Sequence, residues 1–155
     1  PTIAVVIGEG GSGGALSLGI ADRVIMLENA IFSAISPEEA ANLIYRDKSR
    51  ANEAAESLKL TAADCKALGI VDVIVSEPDG GAHTDHHESS RLLKRALLQQ
   101  LFEVQNNSTR KRLRERHKKF KDIGEYSSYF RSTVTRELNL LQRSITDRIK
   151  SIRRT

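Results

Sequence analysis

The sequence predicts an α/β protein, and three observations predict it. Short apolar runs alternate with helix-like segments between residues 3 and 75; a glycine run lies between the first strand and the first helix; and beyond residue 88 strand signals nearly vanish, leaving helical patterns. Alternation of this kind is the pattern of the α/β class.

Each element has its own signal. Ile3-Ala-Val-Val-Ile7 is a buried-type strand, GEGGSGG from Gly8 to Gly14 a turn, and residues 13 to 21 a short helix. Arg23 to Ile35 is β-rich. Ser36-Pro-Glu-Glu39 then starts a helix, with Ser36 as N-cap, Pro37 at the first helical position and Glu39 closing a capping box. A second helix is expected over 50 to 58. Thr61 and Asp64 cap a third, which Gly69 stops, and Ile70 to Val75 is a further strand. Pro78-Asp-Gly-Gly81 is a turn, and the segment up to Glu88 divides residues 1–88 from a helical tail over 89–155. Three tail helices are expected, over about 89 to 105, 109 to 122 and 128 to 153. In the last, Val134, Leu138, Leu141, Ile145, Ile149 and Ile152 form one apolar stripe that needs a partner.

Bulk composition narrows the classes. A chain of 155 residues with 39% hydrophobic content suits one domain of ordinary size. Pro1 opens directly onto a strand, so the chain reads as the carboxy-terminal part of something longer. Its one cysteine, Cys65, excludes an internal disulfide and a multi-cysteine zinc site, and reads as a small buried thiol. With no signal peptide and no apolar stretch of bilayer length, a cytoplasmic location is expected. The net charge of +4 conceals a division: residues 1–90 hold 6 Lys+Arg against 14 Asp+Glu, and residues 91–155 hold 18 against 6.

Five of the ten glycines lie in GEGGSGG. Lacking Cβ atoms, such a run lets main-chain N–H groups meet a ligand oxygen, which suggests an anion or oxyanion site. Two other readings compete. Gly8, Gly10 and Gly13 fit GxGxxG, and Glu28 stands where a dinucleotide fold would hold a ribose hydroxyl, although the connection is short for a Rossmann unit. The glycines could also serve tight packing alone.

GEGGSGGAL, ISPE and EP-x-GGAH occur in order, and together with their surroundings over residues 1 to 125 they closely resemble the carboxyltransferase alpha subunit of multi-subunit acetyl-CoA carboxylase. The resemblance implies a partial crotonase-type β/α spiral followed by a basic helical tail. It also implies transfer of a carboxyl group from carboxybiotin to acetyl-CoA, giving malonyl-CoA, with no metal on this chain. Implied partners are a beta subunit, which completes the active site, and a biotin carboxyl carrier protein, in an α2β2 assembly. The family pattern places a main-chain oxyanion pair on Gly13 and Gly14. Gly10 and Gly11 would shape the turn and the approach of acyl-CoA or biotin, and Ala15 would begin a helix whose dipole adds to the pair. Which substrate the pair serves stays open, and no residue presents itself as a general base.

Other candidates have simpler explanations. Glu38 belongs to the capped helix start, Glu9 is assigned a structural role, and Ser12 does not lie in a GxSxG elbow. His83, Asp85, His86 and His87 are read as a solvated loop rather than a metal site. The basic run RKRLRERHKKFK, residues 110 to 121, is read as an amphipathic helix docked on the body through Leu113 and Phe120. Contact with phosphates or an acidic partner comes next, and a nucleic-acid-binding module is the alternative from another class. Another crotonase-fold acyl-CoA enzyme, a hydratase or decarboxylase, is the alternative among enzymes.

Overall fold

The computed structural model describes residues 1–123, so the striped helix expected over 128 to 153 lies outside the described residues. Three parallel strands form the main sheet in the order β1-β3-β5: β1 (Ile3–Val6), β3 (Arg23–Leu27) and β5 (Val73–Val75). The middle strand is flanked on both edges and covered on both faces. Val24, Ile25, Met26 and Leu27 are all buried, the unbroken apolar run typical of a parallel sheet's interior.

A second, two-stranded parallel sheet pairs β2 (Glu9–Gly11) with β4 (Ile31–Ser33). The β-rich stretch from Arg23 therefore serves two sheets, and the chain passes from one to the other at the turn after β3. The glycine segment expected to be wholly a turn contains a strand. Glycine weakens a strand in isolation, but here β4 supplies the pairing and places Gly10 opposite Phe32. Bare hydrogen is required at Gly10, where a Cβ would stand 2.7 Å from Phe32 Cδ2 and 3.0 Å from Val6 Cγ1.

The helices follow their caps. α1 (Ser12–Gly19) joins β2 to β3. α2 (Pro37–Tyr45) starts as expected, with Ser36 Oγ accepting from the Glu39 N–H. A 3₁₀ turn (Lys48–Arg50) leads into α3 (Ala51–Leu58), which packs on α2 through Ala40, Ala41 and Ala54. In α4 (Ala62–Ala67) Thr61 Oγ1 accepts from the Asp64 N–H, and Gly69 ends the segment at φ +75°. Cys65 is buried in the core, as read from the sequence, and burial pushes its thiol up from the ordinary value.

The long helix α5 (His86–Gln105) begins earlier than the pattern suggested, because Asp85 caps it by accepting from the Glu88 N–H. His86 and His87 thus lie on a helix rather than in a loop. Leu92, Leu93, Ala96 and Leu97 of α5 pack against the main-sheet core. The last described helix, α6 (Thr109–Asp122), has no buried residue.

Docking of α6 differs from the expectation. Leu113 is 51% exposed and does not anchor it, while Phe120 is half-buried. Cations also tie it to the body: Arg116 lies 3.7 Å from Asp22 and Lys119 2.5 Å from Asp72. Both carboxylates stand just before a strand, Asp22 before β3 and Asp72 before β5. Asp72 also accepts from the Val24 N–H at 2.7 Å.

Candidate functional site

The site is built where β2 hands the chain to α1. Gly11, extended at φ −105° and ψ 158°, is the N-cap and offers no side chain to the helix. The first turn of any helix leaves its N–H groups without intrahelical acceptors, and such groups need a cap, water or a ligand. Among the described residues, neither the Gly13 nor the Gly14 N–H finds a carbonyl or side chain outside its own helix. Both residues are exposed, and a Cβ on Gly13 would meet nothing within 4 Å. The only hydrogen bond from a side chain to this turn, among the described residues, is donated by Ser17 Oγ to the Gly13 carbonyl at 2.8 Å.

Two grooves flank this junction. One, of about 520 Å³, runs between the β2–β4 sheet and the start of α2 and is lined by Glu9, Gly10, Gly11, Ser12, Ser36 and Glu39, among others. The other, of about 680 Å³, follows β1 and α1 and includes Gly10, Gly11 and Ala15. Both lie in the size range of small-molecule and cofactor sites. Gly10 and Gly11 therefore border both grooves and Ala15 one, while Gly13 and Gly14 line neither and stand exposed beside them. One residue whose geometry the sequence did not reveal is Ser12, the sole left-handed residue of the segment at φ +68°. No local signal marks that angle, which arises from the sharp passage from strand to helix.

EP-x-GGAH forms a separate, hydrogen-bonded loop. The Glu77 carboxylate accepts from the Asn29 N–H at 2.9 Å and the Ala82 N–H at 2.8 Å. The Glu77 N–H donates to Glu28 Oε2 at 3.3 Å, so the acid that GxGxxG would assign to a ribose holds a turn. Burial tends to raise the Glu77 carboxyl, but the two N–H donors outweigh it and hold the group below the usual carboxylate range. The loop reaches the site through the backbone: Asn29 leads to Ile31, whose N–H donates to the Gly8 carbonyl, next to β2.

Among the described residues this is a parallel α/β body with main-chain donors at a glycine-rich helix start that find no acceptor outside their helix, an arrangement able to take an anion. Residues 1–124 match the family described as acetyl co-enzyme A carboxylase carboxyltransferase-like. The chain is 50% identical over 126 residues to the acetyl-coenzyme A carboxylase carboxyl transferase subunit alpha of Staphylococcus aureus strain bovine RF122 / ET3-1, and equally to that of strain MRSA252. In each case the match covers 81% of this chain and 40% of the relative. A transcarboxylase 12S structure, solved with methylmalonyl-coenzyme A and methylmalonic acid bound, overlays 49% of this chain and 17% of its own at 31% identity and a TM-score of 0.42. This chain belongs to the acetyl-CoA carboxylase carboxyltransferase family, and it spans about two fifths of the length of the relatives it matches.

Proposed function

We propose that this chain supplies the alpha-subunit half of a carboxyltransferase that moves a carboxyl group from carboxybiotin to acetyl-CoA, forming malonyl-CoA. The beta subunit would complete the site and a biotin carboxyl carrier protein would deliver the carboxyl group. A cytoplasmic α2β2 assembly is part of the same reading. The observation that supports it is the Gly13 and Gly14 N–H pair at the start of α1, without an acceptor outside the helix among the described residues, in a chain of this family.

Carboxybiotin brings an activated carboxyl group, and what this chain contributes is electrostatic. Negative charge grows on the thioester oxygen of acetyl-CoA or on the ureido oxygen of biotin as the carboxyl group moves. Two fixed N–H donors and the positive end of α1 stabilise that charge without gaining or losing a proton. Gly10 and Gly11 keep the β2 backbone low beside the grooves, so a planar thioester or ureido group can approach the helix start. Such donors work at any pH at which the fold survives, which suits a site whose chemistry rests on main-chain groups.

The test is reconstitution. Malonyl-CoA formation is measured with carboxybiotin and acetyl-CoA for the complete alpha subunit carrying this sequence, with and without the beta subunit, and for residues 1–155 alone. Turnover is expected only when both subunits are present. Full turnover by the 155 residues alone, or none by the reconstituted pair, would contradict the proposal.

A further inference from the structure

Two exposed helix faces of this chain match each other with opposite charge. On α6 the cations divide into two rows. Arg112, Arg116 and Lys119 turn inward: Arg112 donates to the Asn107 carbonyl at 2.6 Å, and the other two pair with Asp22 and Asp72. Arg110, Arg114 and Lys118, each four residues from the next, are exposed and have no acidic partner among the described residues. Leu113 stands beside that outer row, 51% exposed.

α2 presents the complement. Its inner side packs Ala40 and Ala41 on Ala54, which leaves Leu43 and Ile44 73% and 62% exposed. Glu38 and Glu39, about one turn earlier, are exposed and have no cationic partner among the described residues. Apolar side chains flanked by opposite charges are what a protein–protein contact needs for burial and for register. A nucleic acid fits the α6 face less well, because its outer row carries no aromatic for bases to stack on, and Phe120 is half-buried. Both halves of the match belong to one chain: residues 1–90 hold 14 Asp+Glu against 6 Lys+Arg, and residues 91–155 hold 6 against 18.

We infer that α6 of one copy docks on α2 of a second copy, with Leu113 against Leu43 and Ile44, and with Arg110, Arg114 and Lys118 facing Glu38 and Glu39. A two-fold axis makes the contact twice, since each copy gives α6 and receives on α2. Association, not turnover, reads this contact, so it can be absent while the carboxyltransferase reading stands.

The experiment uses the complete alpha subunit carrying this sequence and measures its self-association by sedimentation equilibrium. Wild type is expected to form a dimer that weakens at least about tenfold between about 50 mM and about 500 mM salt. Reversing the α6 row (Arg110→Glu with Arg114→Glu) or the α2 pair (Glu38→Lys with Glu39→Lys) should each weaken the dimer at least about tenfold. All four substitutions together should restore it to within about threefold of wild type, which a misfolded variant could not do. Leu113→Asp, which leaves every charged partner in place, should also weaken it by about tenfold. A monomeric wild type, reversals without effect, or a combination no stronger than either pair alone overturns the inference. If the α6 reversal instead abolishes only assembly with the beta subunit, or only binding of a duplex RNA probe, the second copy is the wrong occupant.

Discussion

The two glycine-rich segments of this chain solve opposite problems. In 77–84, Gly80 and Gly81 take φ +86° and +104°, and the loop is tied by its own donors: Gly81 N–H bonds to Pro78 O, and Ala82 N–H to Glu77. In GEGGSGG the glycines have no positive φ, and the Gly13 and Gly14 N–H groups find no acceptor outside α1 among the described residues. One segment needs glycine for the angles it permits, the other for the space it leaves. The second is also the less stable choice. Alanine would suit Gly13 and Gly14 better as helical residues, and glycine would suit Ser12 better as a left-handed one. A segment that prefers the worse residue at three successive positions is organised around something other than its own stability.

The comparison breaks most clearly at Gly10, the one glycine of the run that is closely packed. Gly10→Val would drive side-chain carbon into Phe32 and Val6, and a loss of about 3 kcal/mol is expected, measured by urea unfolding of the purified chain. If Gly10→Val unfolds at the wild-type midpoint, the β2–β4 pairing described here is wrong.

The bonded loop should yield next. Glu77→Ala leaves the Asn29 and Ala82 N–H groups without their acceptor, and a loss of about 2 kcal/mol is expected, with faster amide exchange at both positions. The pH dependence has a defined sign. Because the folded carboxyl is held below its usual value of 4.5, its contribution is fully present above that pH and disappears as pH falls through the lowered folded value. Wild type and Glu77→Ala should therefore converge in stability under acid. A constant gap from pH 7 to pH 3 would show that the carboxylate charge plays no part.

These two segments also show how far the sequence could be read. Ser36, Thr61 and Gly69 announced their helix ends because a cap depends on residues three or four apart. The glycine run was legible as a place of close approach, and Gly10 and Gly11 border two grooves and Ala15 one, whereas Gly13 and Gly14 line neither. Strand β2 was not legible, since five glycines argue against a strand and only the partner β4 overrules them. Nor was the docking of α6. Its charge showed in the sequence, but the acids that receive Arg116 and Lys119 lie 94 and 47 residues earlier in the chain, at strand starts that exist only once the sheet is assembled.

A smaller change sharpens the contrast between angle and space. Gly81→Ala forces a side chain to φ +104°, with its Cβ 3.2 Å from the His83 ring, and should cost about 1–2 kcal/mol. Gly14→Ala meets no atom closer than 3.9 Å and should instead gain about 0.5 kcal/mol from helix propensity. If Gly14 lies on the proposed anion site, the same methyl group would obstruct it in the complete enzyme, and turnover should fall as stability rises. Thermal melts on the two variants, paired with malonyl-CoA formation for Gly14→Ala, separate the uses of glycine. Equal destabilisation at both positions would mean that Gly14 is packed rather than open.

The smallest effect is expected where α6 meets the sheet. Lys119→Ala removes a partly buried ion pair with Asp72, and because Asp72 keeps the Val24 N–H, the loss should be no more than about 1 kcal/mol and should shrink as salt is added. Arg116→Ala acts on a different acid. Asp22 is held below the usual range because the Thr2 N–H and Arg116 outweigh its burial, and its Oδ1 has no hydrogen-bond partner among the described residues. Removing Arg116 takes away the nearest positive charge, so the Asp22 carboxyl should titrate at higher pH, measurable by NMR. If neither variant responds to salt, α6 is held on the body by something other than its charge, and all of its cations are then free for an acidic partner.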